Sequence, residues 1–203
     1  MKLFLQNNKL IRPEQAGFRK GFSTTDHIFV LHSLIELYKA KGKRLYCCFV
    51  DYNKAFDSIE RLELWKKVIN SNINGRVFNV IFNLYKNAKS CVSSNGQLSD
   101  YFTCNIGVRQ GENLSPLLFS IFLNDLESFM ASKYDGLIMA NNTITDCFED
   151  ELIVYIKLFL LLYADDTVIL SESPKELQKA LNGMYEYCKC YKLEVNAQKT
   201  KVR

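Results

Sequence analysis

Two short apolar runs that each end on carboxylates constrain this chain of 203 residues more than any other feature. Residues 44–50 read RLYCCFV and run into Asp51; residues 158–164 read LFLLLYA and run into Asp165 and Asp166. Both have the make-up of buried strands, bounded by polar residues. A carboxylate beside a dry core is costly unless a cation pairs with it, and a divalent metal is the strongest such partner. Taken singly, each acid also reads as ordinary turn or strand-end chemistry, because aspartate tolerates tight turns and caps its own backbone. Three carboxylates with no histidine or cysteine beside them select a hard cation, magnesium or manganese in preference to zinc. If the two strands are neighbours, Asp51 and Asp165 bridge two ions about 3.5–4 Å apart, an arrangement suited to in-line phosphoryl transfer and used equally by nucleases.

Composition narrows the class. An apolar content of 48% offsets the entropy of ordering and excludes a disordered tail, a collagen-like rod or a linker. Lys+Arg at 26 against Asp+Glu at 22 leaves a net charge of +4, which permits an anionic partner without establishing one. The seven cysteines form no CxxC pair: Cys47 and Cys48 are adjacent, and Cys188 and Cys190 are one residue apart. With only His27 and His32 to add, zinc spacing is poor, and free thiols in a reducing compartment are expected. The apolar stretch 152–164 is broken by Lys157 and falls short of the roughly 20 residues of a membrane span. Residues 1–11 mix polar groups among their leucines and do not read as a signal peptide. An intracellular protein without a membrane partner is the expectation.

Periodicity predicts the remaining elements. A helix runs from Thr24 to Lys41, with Ser23–Asp26 as its cap and Gly42 as its stop. Asp57 and Glu60 resemble a capping pair for a helix through Ile69 that Gly75 ends, and a further helix carries Val77 to Tyr85. Asn95-Gly96 predicts a two-residue hairpin turn between residues 91–94 and 97–104. Ser115-Pro116 places a capping hydroxyl before a proline at the start of one apolar helix reaching Leu126 or Met130. Residues 132–150 read as a loop with one short strand at 136–140, and residues 158–163 and 167–171 as a second hairpin. Ser173-Pro174 opens the last helix, and residues 193–203 follow as an extended segment.

With these elements in place, FVDYNKAFD at 49–57, GVRQGENLSP at 107–116 and YADD at 163–166 together resemble a reverse transcriptase of the non-LTR (LINE-type) retrotransposon kind. QAGFRKGFSTTD at 15–26 is similar to that family's fingers motif and LEVNAQKTK at 193–201 to its closing palm motif, so the likeness spans nearly the whole chain. The resemblance implies an α+β fold: a right-hand polymerase palm, an antiparallel sheet backed by helices, with a mostly helical fingers lobe and the thumb absent. It divides the chain into fingers at 1–43, a palm strand with the first catalytic aspartate at 44–59, fingers again at 60–113, and palm at 114–203. The implied activity is RNA-directed DNA polymerisation using two Mg2+ ions, or Mn2+, on an RNA template, a DNA primer and a dNTP. A catalytically silent nucleic-acid-binding remnant is the competing expectation, and the family's habit of copying into chromosomes implies a nuclear location.

Carried over by residue, the resemblance makes Asp51 and Asp165 the principal metal ligands, with Asp166 assisting and the Tyr52 carbonyl completing a shell. Phe56 matches the aromatic residue under the incoming sugar, where a ring leaves no room for a 2′-hydroxyl. Gln110 and Gly111 match the turn near the nascent base pair, and Arg109 is a candidate nucleic-acid contact. Lys199 matches the lysine that protonates or neutralises the leaving pyrophosphate. Arg19 and Lys20 match the basic segment facing the triphosphate.

Overall fold

The computed structural model describes residues 11, 15–18, 21–141, 154–158 and 160–203. Its organising element is a four-stranded antiparallel sheet in the order β10-β1-β9-β8, built from β1 (Tyr46–Val50), β8 (Leu160–Tyr163), β9 (Asp166–Ser171) and β10 (Lys201–Val202). Strand β1 pairs along its whole length with β9, from Tyr46 opposite Ser171 to Val50 opposite Thr167. Strands β8 and β9 form the expected hairpin, closed by Tyr163 opposite Asp166.

These strands are apolar at consecutive positions because both faces are covered. Cys48, Val50, Leu160, Leu162 and Ile169 pack into the main core with Phe119, Phe122, Met184 and Tyr187. Cys47, Leu161 and Leu170 point the other way, against Leu34 and Tyr38. The first face is supplied by α4 (Ser115–Phe122) and α6 (Pro174–Tyr191), the second by α1 (Thr24–Ala40). Each fully buried large side chain here stabilises the fold by about 1.5–3 kcal/mol.

Helices α2 (Arg61–Asn70) and α3 (Gly75–Lys86) follow β1, then two short ladders: β2 (Lys89–Ser90) with β5 (Phe102–Thr103), and β3 (Ser93–Ser94) with β4 (Gln97–Leu98). Asn95 and Gly96 turn between them with φ of 50° and 78°, the positive values their sequence predicts. Helix α5 (Leu126–Ala131) follows α4, and β6 (Leu137–Asn141) pairs with β7 (Val154–Leu158). The short strand expected at 136–140 thus belongs to a ladder, and the rest of the loop expected at 132–150 falls partly outside the described residues.

Several local expectations are corrected. Gly75 does not end α2; that helix stops at Asn70, and Gly75, with φ +57°, begins α3. Asp57 does not cap α2, whose preceding residue Glu60 makes no side-chain cap, because the Asp57 carboxylate accepts from Gln110 Nε2 at 3.2 Å. Ser115 lies inside α4 and is no cap: its hydroxyl shares a buried hydrogen bond of 3.1 Å with Tyr85 Oη, and Pro116 occupies the first turn. The apolar helix expected through Met130 breaks between Phe122 and Leu126, where the Asp125 carboxylate turns inward to Tyr187 and Lys67. The segment after Tyr191 is not continuously extended: between the Val195 bridge to Tyr52 and β10, the Asn196 side chain accepts from the Gln198 and Lys199 amides and folds a turn. By contrast, Ser173 Oγ accepts from Glu176 N at 3.2 Å and caps α6 as expected, and Asp26 accepts from the Ser23 amide at the start of α1. The six described cysteines are free thiols. No helix among the described residues is long and apolar enough to cross a membrane.

Candidate active site

The register of β1 against β9 brings the acids together. Val50 faces Thr167, so the next rung sets Asp51 across from Asp166, with Asp165 in the two-residue turn that joins β8 to β9. Asp51 and Asp165 are half-buried and Asp166 is exposed. Partial burial, with the charges of Asp165 and Asp51 adding to it, holds the Asp166 carboxyl above its ordinary value. The three carboxylates therefore share one field. Among the described residues no trio of His, Cys, Asp or Glu side chains converges at metal-ligand distance.

The closing motif supplies a cation of its own. Asn196 N donates to Asp51 O at 2.7 Å, Asp51 N donates to Thr200 Oγ1 at 3.3 Å, and the Asn53 amide donates to Glu194 O at 2.7 Å. This seam, with the Asn196 turn inside it, carries the exposed Lys199 to the site, its Nζ 3.6 Å from Asp51 Oδ2. Tyr52 lies in the same seam, bridged to Val195, with its ring buried and its hydroxyl 3.7 Å from Met184 Sδ. Burial raises the Tyr52 phenol, so its side chain is neutral and only its carbonyl is a candidate ligand.

A second seam fixes the wall. Gly107 N donates to Ile59 O and Val108 N to Phe56 O, both at 2.8 Å. A Cβ on Gly107 would lie 2.6 Å from Asp57 O, so this approach requires glycine, as does its φ of +75°. Phe56 is half-buried and stacks on Phe119, centroids 4.7 Å apart at 19°. Gln110 bonds Asp57 beside it, and Gly111, with φ +84°, faces open space where a side chain would stand. Arg109 is engaged within the loop: Nη1 pairs with Glu112 at 2.7 Å and Nη2 reaches Leu84 O at 3.4 Å. A groove of about 720 Å³ runs along this wall past Asp57, Lys89, Arg109 and Gln110. Arg19 and Lys20 lie outside the described residues.

Sequence reading missed the residues that hold this wall and the acid turn. Arg61, on an otherwise amphipathic helix, is buried and donates to Gly107 O at 2.8 Å, Tyr85 O at 3.0 Å and Cys104 O at 2.5 Å. Burial pulls its guanidinium below the ordinary arginine value, and it is satisfied by carbonyl oxygens. Gln15 contacts the acid turn from 149 positions away. Arg61 carries no mark in the sequence, and Gln15, although it opens the 15–26 motif, carries no local signal of its pairing with Ala164 N and O.

Comparisons with known proteins bear on the family and the fold. The sequence profile described as reverse transcriptase (RNA-dependent DNA polymerase) matches residues 1–203. The chain is 26% identical over 173 residues to a retrovirus-related Pol polyprotein from type-1 retrotransposable element R2 of Nasonia vitripennis, covering 85% of this chain and 15% of that protein. It is 27% identical over 194 residues to the RNA-directed DNA polymerase from mobile element jockey of Drosophila funebris, covering 91% of this chain and 19% of that one. This chain thus spans less than a fifth of either relative. In fold it is similar to apo telomerase from Candida tropicalis truncated from its C-terminal domain, with a TM-score of 0.65 at 19% identity over 100% of this chain and 40% of that one. It is also similar to telomerase from Candida albicans in complex with a fragment of telomeric RNA, with a TM-score of 0.66 at 14% identity over 100% of this chain and 33% of that one. The four-stranded sheet with its helical backing is the palm of that fold, and the chain belongs to the reverse transcriptase (RNA-dependent DNA polymerase) family.

Proposed function

We propose that this chain is the copying core of an RNA-directed DNA polymerase, taking an RNA template, a DNA primer and a dNTP and using two Mg2+ ions, for which Mn2+ substitutes. The observation that carries the reading is the register that brings Asp51 beside the turn holding Asp165 and Asp166. The donor set fits hard cations: three carboxylates and a backbone carbonyl, with no thiolate or imidazole in the set. In this reading Asp51 and Asp165 hold the ions, assisted by Asp166 and the Tyr52 carbonyl. When bound, the ions make the primer 3′-hydroxyl easier to deprotonate and neutralise charge on the leaving pyrophosphate. The primer oxygen gives its proton to solvent water and bonds to the α-phosphorus of the dNTP, while the bond from that phosphorus to the bridging oxygen breaks and pyrophosphate leaves.

The other assignments follow from position. Lys199 is held only by an exposed ion pair worth about 0–1 kcal/mol, so its ammonium exchanges readily from Asp51 to a pyrophosphate oxygen. Phe56, braced by Phe119, sits under the sugar and selects against a 2′-hydroxyl. Gln110 and the bare backbone of Gly111 approach the nascent base pair, Arg109 contacts nucleic acid once released from Glu112, and Arg19 and Lys20 face the triphosphate. We assign 1–43 and 60–113 to fingers and 44–59 and 114–203 to palm, and propose a nuclear location on the family's habit of copying into chromosomes.

Primer extension tests this reading. The purified chain, a homopolymer RNA template, a DNA primer, the complementary dNTP and Mg2+ should give metal-dependent extension that Asp165→Asn lowers at least about a hundredfold, the scale of losing a charge-stabilising group. Extension unaffected by Asp165→Asn overturns the mechanism.

A further inference from the structure

The turn that carries the acids is conformationally unusual. Ala164 has φ +57°, whereas its partner in the two-residue turn, Asp165, has no positive φ. Hairpin turns with positive φ only at the first central position favour glycine there, because a Cβ is costly in the left-handed region. Alanine needs something else to hold it.

Gln15 meets that need. It is 1% exposed, and both ends of its amide meet Ala164: Nε2 donates to Ala164 O at 3.2 Å, and Oε1 accepts from Ala164 N at 3.0 Å. Oε1 also accepts from Gly17 N at 2.9 Å, which fixes the side chain to its own backbone. Ala16 N donates to Leu162 O at 2.9 Å, and Gln15 forms a parallel bridge with Leu162. A Cβ on Gly17 would stand 2.2 Å from Ala164 N, so this segment lies directly against the turn. Only a side-chain amide of this length both donates and accepts here; glutamate lacks the donor and asparagine lacks the reach.

We propose that Gln15 is a positioning residue whose amide clamps Ala164 in its left-handed conformation and thereby sets where Asp165 and Asp166 point. It touches no reacting atom. The inference rests on the reading of those acids as metal ligands, but the clamp is measurable without polymerase activity.

Amide hydrogen exchange and Mn2+ titration of the full chain test it, comparing wild type, Gln15→Met and the double variant Gln15→Met with Ala164→Gly. Gln15→Met should speed exchange of the Ala164 amide at least about tenfold, the signature of a local opening, while Val168 and Ile169 amides keep their protection. Its Mn2+ affinity should fall several-fold, and Ala164→Gly should restore part of that loss, since glycine adopts the left-handed conformation unaided. If Gln15→Met also exposes Val168 and Ile169, Gln15→Leu, which again lacks both donor and acceptor, is judged by the same criteria. Unchanged Ala164 exchange, or unchanged Mn2+ affinity with exchange accelerated, overturns the proposal. Failure of the polymerase reading looks different: wild type extends no primer, yet the Ala164 amide still responds to Gln15→Met.

Discussion

Phe56 illustrates how packing bears on the selectivity proposed for one residue. Its ring stacks on Phe119, which braces it in place. Shortening it should open space at the sugar while leaving the acids in place. Phe56→Val is expected to raise incorporation of ribonucleotides relative to deoxynucleotides by at least about tenfold in single-nucleotide extension, within the range a steric pocket discriminates. An unchanged sugar preference removes Phe56 from that role. Arg109 shows the converse: a basic residue in a motif whose guanidinium is already paired, here with Glu112.

Among the elements, the wall beside the acids is held less by secondary structure than by one buried guanidinium. Arg61 satisfies carbonyls from the 104–107 loop and from the end of α3, so truncating it removes the donor that Gly107 O and Cys104 O share, while Tyr85 O keeps the Ala88 amide. Arg61→Ala should destabilise the chain by roughly 2–4 kcal/mol, read from denaturant unfolding; a loss within error would mean water replaces the arginine. Ser173→Ala, which removes the cap of α6, should cost only about 1 kcal/mol in the same measurement. Elements like β1, β9 and α6 are legible in the sequence because their signals are local: apolar runs, a serine before a proline, Asn95-Gly96. Ser115-Pro116 carries the same local signal and misleads, because Tyr85 claims the hydroxyl. The break after Phe122 and the pairing of Gln15 with Ala164 depend on partners distant along the chain, which no window of sequence contains. That Asp51 follows β1 and Asp165 falls in the β8–β9 turn is legible too, because an apolar run marks each strand.

At the scale of the molecule, a second polar cluster lies under the palm. Lys67 donates to Phe122 O at 2.6 Å, Asp125 Oδ1 at 2.7 Å and Tyr187 Oη at 3.0 Å, and its ammonium is 3.4 Å from the Tyr191 ring centroid. It joins α2, the break after α4, and α6. Burial lowers its pKa to about 8, with Asp125 opposing the shift. Below pH 8 the lysine is charged in the folded and unfolded states alike, and the cost of burying the charge is constant. Between pH 8 and the unfolded value of 10.5 the unfolded chain binds the extra proton, so this group's contribution to stability rises with pH. Wild type should gain about 2 kcal/mol over Lys67→Met between pH 7.5 and 9.5 in denaturant midpoints converted to free energy; parallel curves for the two proteins would contradict it. The claim on which the catalytic reading depends is that Asp51 and Asp165, distant in the chain, bind divalent ions jointly. Mn2+ titration followed by electron paramagnetic resonance measures this directly, on wild type, Asp51→Asn and Asp165→Asn. The account predicts that either substitution weakens Mn2+ binding at least about tenfold, the scale of losing a charged ligand, and superimposable isotherms for the three proteins would contradict it.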